Sequence, residues 1–199
     1  MHRWLPRAVY FAGMMIEVLV RLPHERARRR IRKTERRDTP AERGVLAGLL
    51  LTGFVLPLAY SVTRWLDFAD YGLPPRARAR AAGLGTVLLA GALGVFWRAH
   101  RDLGTNWSPT LEIGAAQTLT TTGIYGAIRH PMYASQLLWG LAQALLLPNW
   151  LAGPGGLVAF LLQYLLRVPP EERMLRDHFG DAYRAYCART GRVLPRLRR

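Results

Sequence analysis

Apolar residues fall along this chain in blocks, and polar, arginine-rich stretches separate them. The blocks are Ala8 to Leu22, Gly44 to Leu66, Ala81 to Trp97 and Tyr133 to Leu166. At about 1.5 Å per residue, the second block is long enough to cross roughly 30 Å of hydrocarbon as a helix. Pro57 predicts a kink in it. The third block reads as another span, and its Gly83, Gly85, Gly91 and Gly94 are spaced to let a neighbouring helix backbone come close. The fourth is too long for one crossing, and Pro148, Asn149 and Trp150 interrupt it, so it predicts a tight helical hairpin that goes across and comes back. The first block is short and holds Glu17; it counts as a further span, with a helix lying in the interface as its alternative. The expected fold is all-α: one domain, a polytopic membrane bundle of about five transmembrane helices, the last two a hairpin, with a C-terminal helical cap.

Charge sharpens this picture. Half of the 199 residues are apolar, yet the formal net charge is +15. The two properties occupy different stretches, as expected when a bilayer solvates one and water the other. Between the first and second blocks lie Arg21, Arg26, Arg28, Arg29, Arg30, Arg32, Lys33, Arg36, Arg37 and Arg43, against Arg76, Arg78 and Arg80 between the second and third. The heavier loop is predicted to be cytoplasmic. Alternation then brings the stretch from Arg98 to Pro131 and the tail after Leu166 to the same face. The segment RARRRIRKTERR, Arg26 to Arg37, resembles a phosphate-neutralising run, but a nucleic-acid partner leaves the apolar blocks unexplained. Anionic lipid headgroups account for the same arginines, and no nucleic acid is expected. Cys187 is the only cysteine, which excludes an internal disulfide and a cysteine zinc cluster. Arg3 and Arg7 before an apolar run mimic a signal peptide, but Glu17 and the lack of a small-residue cleavage pattern place that run in the mature protein.

The chemistry concentrates in GIYGAIRHPMY, Gly123 to Tyr133. Pro131 suits the first turn of a helix, with His130 at its N-cap. The free N–H groups and dipole of such a start favour an anion, for example a carboxylate. Tyr125, Tyr133 and Trp139 offer aromatic faces to a cation. Further on, Pro169 and Pro170 predict the end of the second hairpin helix, and Glu171 and Glu172 the opening of a new one. Helix-dipole preference alone explains those glutamates; the other reading is that one binds hydroxyl or ammonium groups. Plainer roles stand beside the rest: His130 as a cap, the tyrosines as interface anchors, Arg129 and Arg173 as headgroup contacts. Leu175, Phe179, Tyr183 and Tyr186 recur at helical spacing and are expected to dock the tail on the bundle. The Gly-Leu-Gly at Gly83 to Gly85 lies inside a span and lacks a dinucleotide-binding context. With no HExxH and no acidic cluster, no metal is expected.

Taken together, LTTTGIYGAIRHPMY from Leu119, then a hairpin, then PPEERMLRDHFGDAYRAYCARTGRVLP from Pro169, resemble the isoprenylcysteine carboxyl methyltransferase family and its relatives among integral-membrane phospholipid methyltransferases. LGTNWSP, Leu103 to Pro109, is similar to that family's lead-in. The resemblance covers Leu103 to Pro195 and rests on an RHPxY element and an EExxL…FGxxYxxY element in order around a hairpin. It makes residues 103–195 the cofactor-binding and catalytic half. The implied cofactor is S-adenosylmethionine at the cytoplasmic face, held by Gly123, Tyr125, His130, Pro131, Tyr133, Glu171 and Glu172. Its carboxylate suits the helix start, its sulfonium Tyr125 and Tyr133, its hydroxyls and ammonium a glutamate; which glutamate makes contact stays open. Methyl transfer to a carboxylate is a matter of positioning and of excluding water. Arg129, Arg167 or Arg173 would hold that carboxylate through two parallel hydrogen bonds, with Glu171 beside them in the catalytic set. An amine or thiol acceptor would instead want a base, His130 or a glutamate. The acceptor implied is a prenylated, lipid-like carboxylate entering sideways between helices. The alternatives are N-methylation of a phospholipid amine or S-methylation of a small thiol, and a non-enzymatic, membrane-anchored basic protein.

Overall fold

The computed structural model describes residues 4–28, 40–104 and 118–196, and among them there is no β-strand. Six helices carry the fold: α1 (Trp4–Arg28), α2 (Pro40–Leu50), α3 (Leu56–Val62), α4 (Pro75–Leu103), α5 (Pro131–Leu146) and α6 (Pro154–Arg189). The arginine-rich segment at residues 29–39 and most of the LGTNWSP lead-in, residues 105–109, lie outside the described residues. Arg43–Val62 and Pro75–Leu103 are long and apolar enough to cross a membrane. On α1 and α6, side chains such as Met15, Leu19, Leu161, Leu162, Leu165 and Leu166 stand exposed, a surface suited to an apolar solvent.

The central helix is α4, flanked by α5 and α1. Tyr10, Tyr60, Leu89, Ala92, Trp139, Ala142, Leu146 and Leu147 form the buried core between them. Small residues let the backbones close, at one of the four positions that the glycine pattern predicts. Of the four glycines of the third block, Gly85 alone sits against a neighbour, Ala142, Leu145 and Leu146 of α5; Gly83, Gly91 and Gly94 meet nothing within 4 Å. Gly140 supplies the closer contact, between α5 and Leu157 of α6.

The irregularity expected at Pro57 is a π-helical turn, Leu51–Val55, that joins α2 to α3. There the Leu56 N–H donates to the Leu51 carbonyl, one residue further back than in an α-helix, and Pro57 has no N–H to give. The carbonyls of Thr52 and Gly53 are thereby released. The Gln143 amide donates to Thr52 O at 2.8 Å, and the Tyr10 hydroxyl to Gly53 O at 2.5 Å. A local defect thus ties the second block to α1 and α5.

The turn at Pro148, Asn149 and Trp150 forms as expected between α5 and α6. Asn149 is fully buried. Its amide donates to Leu66 O at 2.6 Å, and its oxygen accepts from the backbone of Leu151 and Ala152, both at 3.1 Å.

The proline pair contradicts the sequence reading. Pro169 and Pro170 do not end a helix, and Glu171 and Glu172 do not open one; α6 runs through them to Arg189. Proline's fixed φ is compatible with a helix, and the lost hydrogen bonds are offset by tertiary contacts on both sides, where Val168 and Glu172 are buried. The dipole argument for the two glutamates falls with it. The break comes later, at Gly180, where φ is +53° and ψ −125°, a backbone region open to glycine.

Candidate active site

The motif region is built on the end of α4. Asp102 accepts the Ile124 N–H at 2.7 Å and pairs with Arg98 at 2.8 Å. Gly123, at φ +60°, lies so close to that carboxylate that a Cβ would collide with it. Its role here is to let the chain turn against Asp102. The following turn, Gly123–Gly126, buries Tyr125, whose carbonyl accepts the Tyr186 hydroxyl at 2.7 Å. Burial pushes the Tyr186 hydroxyl up to about 12.

The next residues are stitched to the segment that follows α6. Backbone N–H groups of Arg129 and His130 donate to Gly191 O at 2.8 Å and Arg192 O at 2.9 Å. His130 is the N-cap of α5, with Pro131 in the first turn, as the sequence predicts. Behind the helix start lies a buried charge cluster centred on Glu172, whose side chain is 3% exposed. Its Oε1 accepts from Arg129 Nη2 and from His130 Nε2, both at 3.2 Å, and its Oε2 from Arg192 Nη2 at 2.8 Å. Burial alone would raise its pKa, but the His130 hydrogen bond and the Arg192 guanidinium outweigh that and hold the carboxyl far below its ordinary range. Arg129 Nε also donates to Glu172 Oε1, at 3.4 Å, and Nη1 donates to the carbonyls of Thr190 and Cys187.

In front of the helix start opens a cavity of about 510 Å³. Tyr125, Arg129, His130, Pro131, Tyr133 and Glu171 line it, together with apolar side chains such as Leu46, Leu50 and Phe54 of the second block and Phe160 of α6. Seven of the residues expected from sequence therefore share one space, Arg167 being the seventh. Three others stand elsewhere. Gly123 lies behind the wall, Glu172 faces the cation cluster, and Arg173 is exposed and does not line the cavity. The two glutamates differ sharply: the Glu171 carboxylate is at the cavity wall, accepting the Tyr133 hydroxyl at 3.1 Å. Phe179, Tyr183 and Tyr186, expected only to dock the tail, are cavity lining as well.

Sequence reasoning missed Asp102, Arg192, and the polar lining from α1, Glu17 and Arg21. A signal for the last pair was present: Tyr10, Met14, Glu17 and Arg21 fall on one helical face, and charges amid apolar positions there mark an inward-facing polar site.

Residues 83–177 match the isoprenylcysteine carboxyl methyltransferase (ICMT) family. The family resemblance read from the motifs holds. A probable protein-S-isoprenylcysteine O-methyltransferase of Oryza sativa subsp. indica is 36% identical over 81 residues, 39% of this chain and 40% of that protein. Protein-S-isoprenylcysteine O-methyltransferase B of Arabidopsis thaliana is 31% identical over 77 residues, 39% of each chain. The Homo sapiens protein-S-isoprenylcysteine O-methyltransferase is 29% identical over 94 residues, 46% of this chain and 33% of its own. The alignments thus span two fifths or less of these relatives' length. The solved structure of a eukaryotic intramembrane Ras methyltransferase, ICMT, superposes with a TM-score of 0.51 at 20% identity, over 96% of this chain and 67% of that one. At that identity the likeness is one of fold.

Proposed function

We propose that this chain is an integral-membrane methyltransferase that transfers the methyl group of S-adenosylmethionine to the carboxylate of a prenylated, isoprenylcysteine-like acceptor. The observation that carries the reading is a cavity lined both by the motif residues and by apolar side chains of the second block and α6, on helices that also carry exposed apolar side chains. Its volume lies within the range of about 300–1,000 Å³ usual for small-molecule sites. The helix α5 start at His130 and Pro131 presents N–H groups that suit the cofactor's carboxylate. The Tyr125 and Tyr133 rings suit its cation, and Glu171 suits its ammonium or ribose hydroxyls. When bound, the cofactor supplies an electrophilic methyl group.

The chain's own work is then to orient the partners and keep water out. An acceptor carboxylate needs no base, which agrees with His130 directing Nε2 to Glu172 rather than into the cavity. The apolar lining from the second block and α6 would take the lipid chain. In this reading residues 103–195 form the cofactor-binding half, to which α1 and the second block add the acceptor's wall. The bundle crosses the membrane several times, α5 and α6 as a hairpin, with the motif residues on the cytoplasmic side and the arginine-rich segment on anionic headgroups. The test is calorimetric titration of S-adenosylhomocysteine into the detergent-purified protein, alongside Glu171→Ala and Tyr133→Ala. Micromolar binding by the wild type that both variants lose is expected. A well-folded wild type that does not bind it refutes the reading.

A further inference from the structure

Among the charged side chains of the cavity, the reaction just described gives no task to two on α1. Glu17 and Arg21 lie one turn apart on α1, and both line it. Their register on the bundle is set by contacts. Tyr10, on the same face, reaches Gln143 far down α5 at 3.2 Å. Arg21 is about 16 Å further along α1 by helix rise, and there its guanidinium lies over the Phe96 ring of α4 at 5.6 Å. One turn on, His24 meets His100 with ring centroids 5.0 Å apart, close to the end of α4 where Asp102 holds Ile124. Arg21 therefore stands toward the end of α4 that carries the motif region, away from the level of Tyr10 and Gln143.

Its hydrogen-bonding state differs from that of Arg129. Every nitrogen of the Arg129 guanidinium has a protein partner. The Arg21 side chain is 41% exposed, but its Nε is buried with no partner, and Nη2 lies 3.6 Å from Glu17 Oε1, an ion pair too long for a hydrogen bond. A buried donor without an acceptor is unfavourable, and a carboxylate is the group that satisfies a guanidinium with two parallel bonds.

We propose that Arg21 binds the carboxylate of the methyl acceptor; this rests on the methyl-transfer reading above. Glu17 holds the guanidinium in place while the site is empty and competes with the incoming anion. Transfer forms the oxygen–methyl bond as the sulfur–methyl bond breaks, with the electron pair leaving on sulfur. The carboxylate becomes a neutral ester. Arg21 then has no anion to hold, which favours release of the product over the substrate.

The experiment compares two probes in the detergent-solubilised full chain: a farnesyl thioether ending in a carboxylate, and the same compound ending in a carboxamide. The wild type is expected to prefer the carboxylate by about tenfold or more. Arg21→Gln should bring that ratio near one while S-adenosylhomocysteine still binds, and Arg21→Lys should keep part of the preference. Glu17→Gln, which removes the competing anion, should raise the ratio. A merely structural pair would instead weaken both probes alike in both variants, and that outcome overturns the proposal. So does an Arg21→Gln protein that keeps the wild-type ratio while binding S-adenosylhomocysteine, a result that leaves the methyltransferase reading standing. A folded wild type that binds no S-adenosylhomocysteine removes both.

Discussion

Replacing Glu172 by alanine should damage the fold, whereas replacing its neighbour Glu171 should damage ligand binding alone. Glu172 is 3% exposed and sits against Arg129, itself 10% exposed, as well as His130 and Arg192. Truncation leaves the Arg129 cation buried beside carbonyls only, and breaking a buried pair from one side costs about 3–5 kcal/mol. For a domain of this size that corresponds to roughly 6–20 °C in Tm. Glu171 is 27% exposed at the cavity wall, and its loss should fall within the small range of ordinary surface changes, about 0.5 kcal/mol. Thermal unfolding in one detergent, with S-adenosylhomocysteine titration of whatever stays folded, separates the two. The pH dependence supplies an independent check. The folded-state pKa of Glu172 is depressed, so the stability it contributes is fully present above the ordinary carboxylate range and is lost as pH falls below about 4–5 toward the folded value. Glu172→Gln should flatten that acid limb. A Glu172→Ala protein with wild-type Tm, or a Glu171→Ala protein that loses more, refutes the division of labour.

Gly123→Ala should destabilise by about 1–3 kcal/mol, because it forces an L side chain to φ +60° and into the Asp102 carboxylate; calorimetric unfolding reads it, and an unchanged Tm would count against the turn described. Tyr10→Phe should cost about 1–2 kcal/mol by leaving Gly53 O without a donor. In a Pro57→Ala background, which restores a backbone N–H nearby, the same change should cost less; strictly additive unfolding energies would show that the proline does not create the need for Tyr10.

What the sequence made legible was local grammar. The helix start at His130 and Pro131, the turn at Asn149 and the irregularity at Pro57 each follow from a residue's own φ or missing N–H, and neighbours in space change little. The same grammar failed at Pro169 and Pro170, where burial of Val168 and Glu172 outweighed two absent donors. Nor could it separate Glu171 from Glu172. Adjacent residues on a helix differ by about 100° of rotation, and only the position of Arg129, Arg192 and the cavity decides which of them is structural. Arg21 and Glu17 carried a signal in their shared helical face, but its importance depends on α2, α5 and α6 enclosing a space against it.

The pairing of Arg129 and His130 with Gly191 and Arg192 bears on how the protein is made. The partners of the RHP element lie some sixty positions later in the chain, Arg129 to Thr190 being 61 residues. During synthesis α5 must enter its place with those backbone donors and the Arg129 cation still waiting. A nascent or prematurely terminated chain can therefore possess the whole motif and no site. The contacts of Arg129 and His130 close only once residues 190–192 are in place, and pairings this far apart in sequence are slow to form.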